Sequence, residues 1–186
     1  MRQKPIVLDS EIHTLSRLFS VERLHLRFAN GEERVFERLV NSQKGFGAVM
    51  IVPMLDNEQV VLIEEYCAGT DDYQWSLPKG RVELKEDLLA AADRELKEEA
   101  GYGARRLQHL TDLYLSPNYM SQRISVVLAE DLYPDKQSGD EPEPLGVNTF
   151  NLRELSSLMQ QRRFTDGRAL AALYMVRDIM IERGAL

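Results

Sequence analysis

Two runs, FGAVMIVPML at 46–55 and QVVLIEEY at 59–66, constrain the fold more than any other part of the chain. Both are dense in Val, Ile and Leu without a polar alternate face, the pattern of strands covered on both sides. Asp56 and Asn57 supply the turn between them. Neither run approaches the roughly 18 apolar residues that a membrane span requires. They therefore read as the central strands of a sheet with layers on both faces. A chain of 186 residues, 44% hydrophobic, suits one domain with a substantial core.

The remaining segments are arranged around these strands. VERLHLRFANGEERVFERL (21–39) shows two alternating stretches around Asn30-Gly31, a pair that readily supplies positive φ, and predicts a β-hairpin. Residues 1–45 form an N-terminal extension carrying that hairpin, and 46–186 the main domain. The first twenty residues either pair with the sheet or reach a second subunit. A segment at 73–79 leads to a helix over 86–100, stopped by Gly101. Strands follow at 107–115 and 124–133, separated by SPNYMSQ. PDKQSGDEPEPLG (134–146) is too rich in Pro, Gly and acid for regular structure and reads as a long, mobile surface loop. NLRELSSLMQQ and DGRALAALYMVRDIMIER predict two closing helices, the second with Leu170, Leu173, Tyr174 and Arg177 at helical spacing.

Charge narrows the partners. With 30 acidic against 23 basic residues the formal charge is -7, which opposes a general affinity for nucleic-acid backbone. The single cysteine, Cys67, cannot form an intrachain disulfide, so a reducing compartment, the cytoplasm, is expected, with the thiol as packing. The opening MRQKPIVLDSEIH has no long apolar run of the kind that directs secretion or spans a membrane.

Inside the predicted helix, at about 100° per residue, Leu89, Ala92, Leu96 and Ala100 share one side. Glu95, Glu98 and Glu99 gather beside them around Ala91, while Arg94 and Lys97 point away from the centre of the group on the same wheel. Three acids within two turns repel one another. A divalent cation would relieve that repulsion, and Mg²⁺ takes such oxygen ligands while keeping water and substrate phosphate in the rest of its octahedron. From spacing alone, a metal site and a solvated acidic face both remain open.

Gly80, five residues, Glu86, seven residues, then Arg94-Glu95-Leu96-Lys97-Glu98-Glu99-Ala100-Gly101 resembles the signature box of the Nudix hydrolases at every charged and glycine position. Tyr102 departs from it, where the family usually carries an aliphatic residue. The order of strands and helices over about 45–183 also resembles the family, implying an α/β Nudix fold: a mixed β-sheet sandwiched between helices, here with an N-terminal β-hairpin extension. The resemblance implies that water cleaves the pyrophosphate of a nucleoside diphosphate linked to another moiety, with help from Mg²⁺ or Mn²⁺. It makes Glu95 and Glu99 the principal metal ligands, Glu98 a further ligand or base, and the Lys79 carbonyl a backbone ligand. Arg94 then orients a catalytic glutamate, Gly80 and Gly101 shape the loop and the helix end, and Glu86 favours the positive end of the helix dipole. In ADP-ribose-cleaving relatives the general base can come from a late loop, which here points to Glu143 or Glu141, with plain acids of a solvated loop as the other reading. Glu143 is the first choice because the chain after it is anchored.

Substrate signals are mixed. Pro117, fifteen residues after Tyr102, resembles the ADP-ribose-cleaving subgroup, whereas Tyr119 and LPKG resemble enzymes acting on diadenosine polyphosphates. Glu64 and Cys67 stand in EEYC, where ADP-ribose-cleaving relatives often carry phosphate-gripping arginines. Arg38 is a candidate for phosphate contact, and Tyr66 and Tyr119 for substrate binding, Tyr66 by stacking on adenine or by packing in the wall of the site. The expected activity is cleavage of ADP-linked small molecules (ADP-ribose, NADH, diadenosine polyphosphates) to AMP and a phosphorylated product. A nucleotide sensor without turnover and a capped-RNA pyrophosphohydrolase are the alternatives. The N-terminal hairpin resembles a segment that relatives pack across subunits, which implies a homodimer.

Overall fold

The computed structural model describes residues 3–16, 19–41 and 47–186. The chain divides into two compact units, one of Met1–Gly45 with Tyr114–Arg123, the other of Phe46–Leu113 with Ile124–Leu186.

The first unit is an antiparallel meander of β1 (Ile6–Thr14), β2 (Phe19–Arg27) and β3 (Glu33–Asn41). The β2–β3 turn falls at Asn30-Gly31, with Gly31 at φ 84°, a conformation that glycine adopts without a Cβ penalty. Phe28 donates to the Glu32 carbonyl at 2.9 Å and closes the hairpin. Ile6–Thr14 pairs with the hairpin as a third strand, so the extension is a sheet rather than a hairpin alone. The 114–123 segment joins this unit through Leu39, whose amide donates to the Tyr119 carbonyl at 2.7 Å and whose carbonyl accepts from Ser121 at 3.0 Å. Sequence patterning gave no sign of that pairing, because one isolated bridge leaves no periodicity.

In the second unit β4 (Gly47–Pro53) lies between β7 (Lys79–Val82), antiparallel to it, and β9 (Arg123–Pro134), parallel to it. β8 (Tyr102–Tyr114) completes that sheet, while β5 (Gln59–Cys67), β6 (Asp72–Ser76) and β10 (Gly146–Asn151) form a second one in the order β10-β5-β6. Phe46, the first residue of the expected strand, lies outside the described residues.

Strand alternation explains how helices cover both faces. Val49, Ile51, Val61, Ile63, Val127 and Ala129 pack with Ala91, Ala92 and Leu96 of α1 (Leu88–Ala100). Their neighbours Met50, Val52, Val60, Leu62, Val126 and Leu128 pack with Ala169, Ala172, Leu173, Val176 and Met180 of α3 (Gly167–Glu182). Adjacent residues on one strand thus feed opposite cores, which is why the runs have no polar face.

Three local expectations change. β10, an exposed edge strand of six residues, fills the stretch between the expected loop and the expected helix, for which the sequence suggests no element. The expected helix over 151–161 is a 3₁₀ turn (Leu152–Glu154) followed by the single-turn α2 (Leu155–Leu158). Leu152, Leu155 and Leu158 recur every third residue and are all buried, a spacing that suits the tighter helix. The 134–146 loop is not free at its start: Asp135 donates to the Gly101 carbonyl at 3.0 Å and Gln137 to the Lys97 carbonyl at 3.2 Å. The last carbonyls of α1 have no partner within the helix, and the loop supplies donors for them.

Candidate metal and hydrolytic site

α1 begins where Asp87 accepts from the amides of Leu89 (2.9 Å) and Ala90 (3.2 Å), and ends where Gly101, at φ 80°, donates to the Leu96 carbonyl at 3.1 Å. These caps fix the turn carrying Glu95, Glu98 and Glu99. Glu95 is 9% exposed and Glu99 only 4%, so the two sit one turn apart at the edge of the core. Glu99 accepts from the Lys79 amide at 2.8 Å, which brings the β7 backbone to the site. Gly80 is required by contact: a Cβ there would run into the Glu95 carboxylate.

Arg94 differs from its helical-wheel position. Its long side chain curls back, donating to Glu95 at 2.9 Å, to Glu98 at 3.1 Å, to Glu86 at 2.9 and 3.2 Å, and to the Arg81 carbonyl at 2.8 Å. The wheel places Cβ atoms, whereas a guanidinium reaches several ångströms from its own. Glu86 precedes the helix; its carboxylate also accepts from the Glu83 amide at 2.8 Å. Among the described residues no three His, Cys, Asp or Glu side chains converge in the arrangement of a metal cage, and the Arg94 guanidinium stands between Glu95 and Glu98.

The electrostatics sort these acids. Hydrogen bonds from Arg94 hold Glu86 below the usual carboxylate range. Burial raises Glu95 despite Arg94, and pushes Glu99 up to about 8 despite the nearby charge and amide of Lys79. Two buried carboxylates with too little positive charge around them, all hard oxygen donors, fit a divalent cation.

Lys79 also pairs with Glu65 at the end of β5, a residue that sequence reasoning passed over. Its signal was a pair of acids, Glu64 and Glu65, directly after the buried run Val60–Ile63. Burial raises Glu141, and the charges of Glu65 and Asp140 add to it while Lys79 opposes, which sets Glu141 in the field of the Glu65–Lys79 pair. Glu143 is engaged elsewhere, accepting from the Tyr73 hydroxyl at 2.6 Å. Glu64 pairs with Arg163 at 2.7 Å, so the position expected of a phosphate-gripping arginine carries an acid neutralised from the turn that precedes α3.

The substrate candidates separate. Tyr66 lies in the second unit, donating to Asp71 at 2.6 Å and meeting Tyr73 edge-on at 5.8 Å. Arg38 and Tyr119 lie in the first unit, where with Pro117 and Asn118 they line a concavity of about 250 Å³. Arg38 there donates to Glu22 at 2.7 Å.

The NUDIX domain family matches residues 46–173, with the Gly80–Gly101 box inside the match. The chain is a Nudix hydrolase. A second family, the NudE-type Nudix hydrolase N-terminal domain, matches residues 5–38, which cover β1, β2 and most of β3. The chain is 41% identical over 182 residues, 98% of its length and 96% of the relative's, to the ADP compounds hydrolase NudE of Escherichia coli (strain K12). It is 29% identical over 129 residues, 68% of its length and 70% of the relative's, to the ADP-ribose pyrophosphatase of Bacillus subtilis (strain 168). A crystal structure of an ADP compounds hydrolase superposes with a TM-score of 0.89 at 40% identity, covering 100% of this chain and 99% of that one. Nudix hydrolases use divalent metal ions. Among the described residues no helix is long and apolar enough to cross a membrane.

Proposed function

We propose that this Nudix hydrolase cleaves the pyrophosphate of ADP-linked small molecules, such as ADP-ribose, NADH and diadenosine polyphosphates, to AMP and a phosphorylated product. The observation that carries the proposal is a complete set of box carboxylates, Glu95, Glu98 and Glu99 on α1 and Glu86 just ahead of it, in a chain similar over nearly its whole length to an ADP compounds hydrolase.

Glu95 and Glu99, with the Lys79 backbone, would hold the divalent metal, Mg²⁺ or Mn²⁺, and Glu98 would complete the set. When bound, the metal screens the phosphate charge that repels a nucleophile and stabilises the departing phosphate. Arg94 orients Glu95 and Glu98. Glu141 takes the proton of the attacking water; a new P–O bond forms as the bridging P–O bond breaks, and the leaving phosphate carries away the electron pair. Glu141 is preferred over Glu143 because it lies in the field of the Glu65–Lys79 pair, whereas Glu143 is held by Tyr73. Tyr66 contacts the adenine base, while Arg38 and Tyr119 line the first unit's own concavity as candidates for phosphate and base contact. The enzyme works as a homodimer in the cytoplasm, its N-terminal unit at the subunit contact, where Ile6 (60% exposed) and Phe19 (51%) need cover.

The test is product analysis with ADP-ribose, NADH, diadenosine triphosphate and capped RNA, each with Mg²⁺. AMP from the ADP compounds supports the proposal. Release from capped RNA alone would replace the substrate class, and tight nucleotide binding without any product would make the chain a sensor.

A further inference from the structure

The loop that carries Glu141 is fixed at both ends, by different means. At its start Lys136 donates to the Glu98 carbonyl at 2.6 Å, Gln137 donates to the Lys97 carbonyl at 3.2 Å, and Lys97 pairs with Asp135 at 3.1 Å, so residues 135–137 ride on the C-terminal turn of α1. Gly139 lies against Glu98, where an added Cβ would approach the Glu98 Cβ to 3.3 Å. At its end Gly146 enters β10 opposite Glu64 of β5. Between these ends the Tyr73 hydroxyl, on β6, donates to Glu143 at 2.6 Å, across seventy positions of sequence.

The chemistry of this contact suits a clasp. An O–H to carboxylate bond is short and among the stronger hydrogen bonds of a protein surface. Tyr73 is a stiff side chain that meets the Tyr66 ring edge-on, and Tyr66 is itself held by Asp71. Glu143 stands in Glu141-Pro142-Glu143-Pro144. Proline fixes its own φ and restricts the residue before it to extended backbone, so both glutamates are constrained and the link between them is stiff. Holding Glu143 therefore sets where Glu141 can be. Tyr73 is 40% exposed, so the clasp faces solvent and can open for exchange of substrate and product.

We propose that Tyr73 is a positioning residue of the reaction: by holding Glu143 it fixes Glu141 through the stiff Pro142 link, on a loop whose start rides on the α1 turn that carries Glu98 and Glu99. This deepens, and rests on, the assignment of Glu141 as the base. Glu143 is then an anchor and not a proton acceptor.

The two roles of Glu143 respond differently to substitution. Glutamine keeps a carbonyl oxygen that accepts from Tyr73 but cannot act as a base; alanine loses both. The experiment measures kcat and KM on ADP-ribose at saturating Mg²⁺ for Tyr73→Phe, Glu143→Gln, Glu143→Ala, Tyr73→Phe with Glu143→Ala, and Glu141→Gln. Hydrogen exchange of residues 135–145 is followed in each. Tyr73→Phe and Glu143→Ala are each expected to lower kcat about tenfold, with KM moved less than about twofold, because a base displaced by an ångström or less loses rate rather than binding. Both speed exchange of the segment. The double variant loses no more than either single one, and Glu143→Gln stays within about threefold of the parent.

A Tyr73→Phe enzyme with parental kcat and parental exchange overturns the proposal. So does a loss of about a hundredfold or more in Glu143→Gln, the range of a missing base. Near-parental kcat in Glu141→Gln alongside a slow, fast-exchanging Tyr73→Phe removes Glu141 as the base and leaves the clasp standing, so the two assignments fail separately.

Discussion

Glu99 carries a charge that the fold resists, and this makes metal removal measurable through pH. Its carboxyl is 4% exposed and pushed up to about 8 from an ordinary 4.5. The sign follows from proton counting. Between those values the folded state holds a proton on Glu99 that the unfolded state has released, so stability falls as pH rises through the window. Integrating the linkage from about pH 5.5 to about pH 8.5 gives a loss of about 3 kcal/mol for this one group. For a chain of this size that corresponds to a midpoint about 6–12 °C lower. The depressed acids, Glu86 and Asp166, titrate below the window and do not contribute. Glu95 and Glu141 are raised toward it, so the comparison must isolate Glu99. Glu99→Gln does so at nearly constant volume. With EDTA present, thermal unfolding of the parent should shift by this amount relative to the variant, and saturating Mg²⁺ should return the parent at the higher pH to at least its midpoint at the lower. Equal shifts in parent and variant, within about 1 kcal/mol, would refute the claim that burial of Glu99 is uncompensated without a cation.

The same Glu99→Gln protein should turn over ADP-ribose at least about a hundredfold more slowly with its fold intact, the usual cost of losing one element of charge stabilisation, as checked by kcat and circular dichroism. Gly80→Ala puts a methyl where the Glu95 carboxylate lies, so it should displace that carboxylate, weaken Mg²⁺ binding measured by calorimetry, and cost about 1–3 kcal/mol in urea unfolding. Light scattering at micromolar concentration should give twice the 21.3 kDa chain mass, and a monomer mass would remove the N-terminal unit as a subunit contact.

What the sequence made legible was whatever rests on period and fixed spacing. β4 and β5 read as covered strands because both faces feed cores, and α1 with its glycine stop reads from its wheel and its box. What escaped was set by contacts distant in sequence. β10 is an exposed edge strand whose partner, β5, lies far earlier in the chain, Gly146 facing Glu64 and Asn151 facing Gln59, and its six residues carry no alternation strong enough to reveal it. Glu65 and Tyr73 matter only because β5 and β6 bring them to Lys79 and Glu143. The direction of Arg94 escaped because a wheel reports where a side chain starts, while its length decides where its charge ends.

The spacing of the box follows from how one guanidinium is shared. Arg94 reaches the Arg81 carbonyl on β7, Glu86 ahead of the helix, and Glu95 and Glu98 on the helix, so it ties together the three pieces that must be held in register. A lysine has one compact charge and could not span these acceptors in one plane. That single positive charge is divided among three carboxylates, and its strongest effect goes to Glu86, which is held low while Glu95 stays raised. Glu99 receives no bond from Arg94; it has the Lys79 amide, and the Lys79 ammonium is already paired with Glu65. The uncompensated negative charge therefore collects on Glu95 and Glu99, one turn apart and buried beside a glycine that leaves room for nothing larger. An exposed acidic face would be relieved by water and salt. Buried at the core edge, this pair can be relieved only by a proton or by a cation, and above the raised value of Glu99 a cation is what remains.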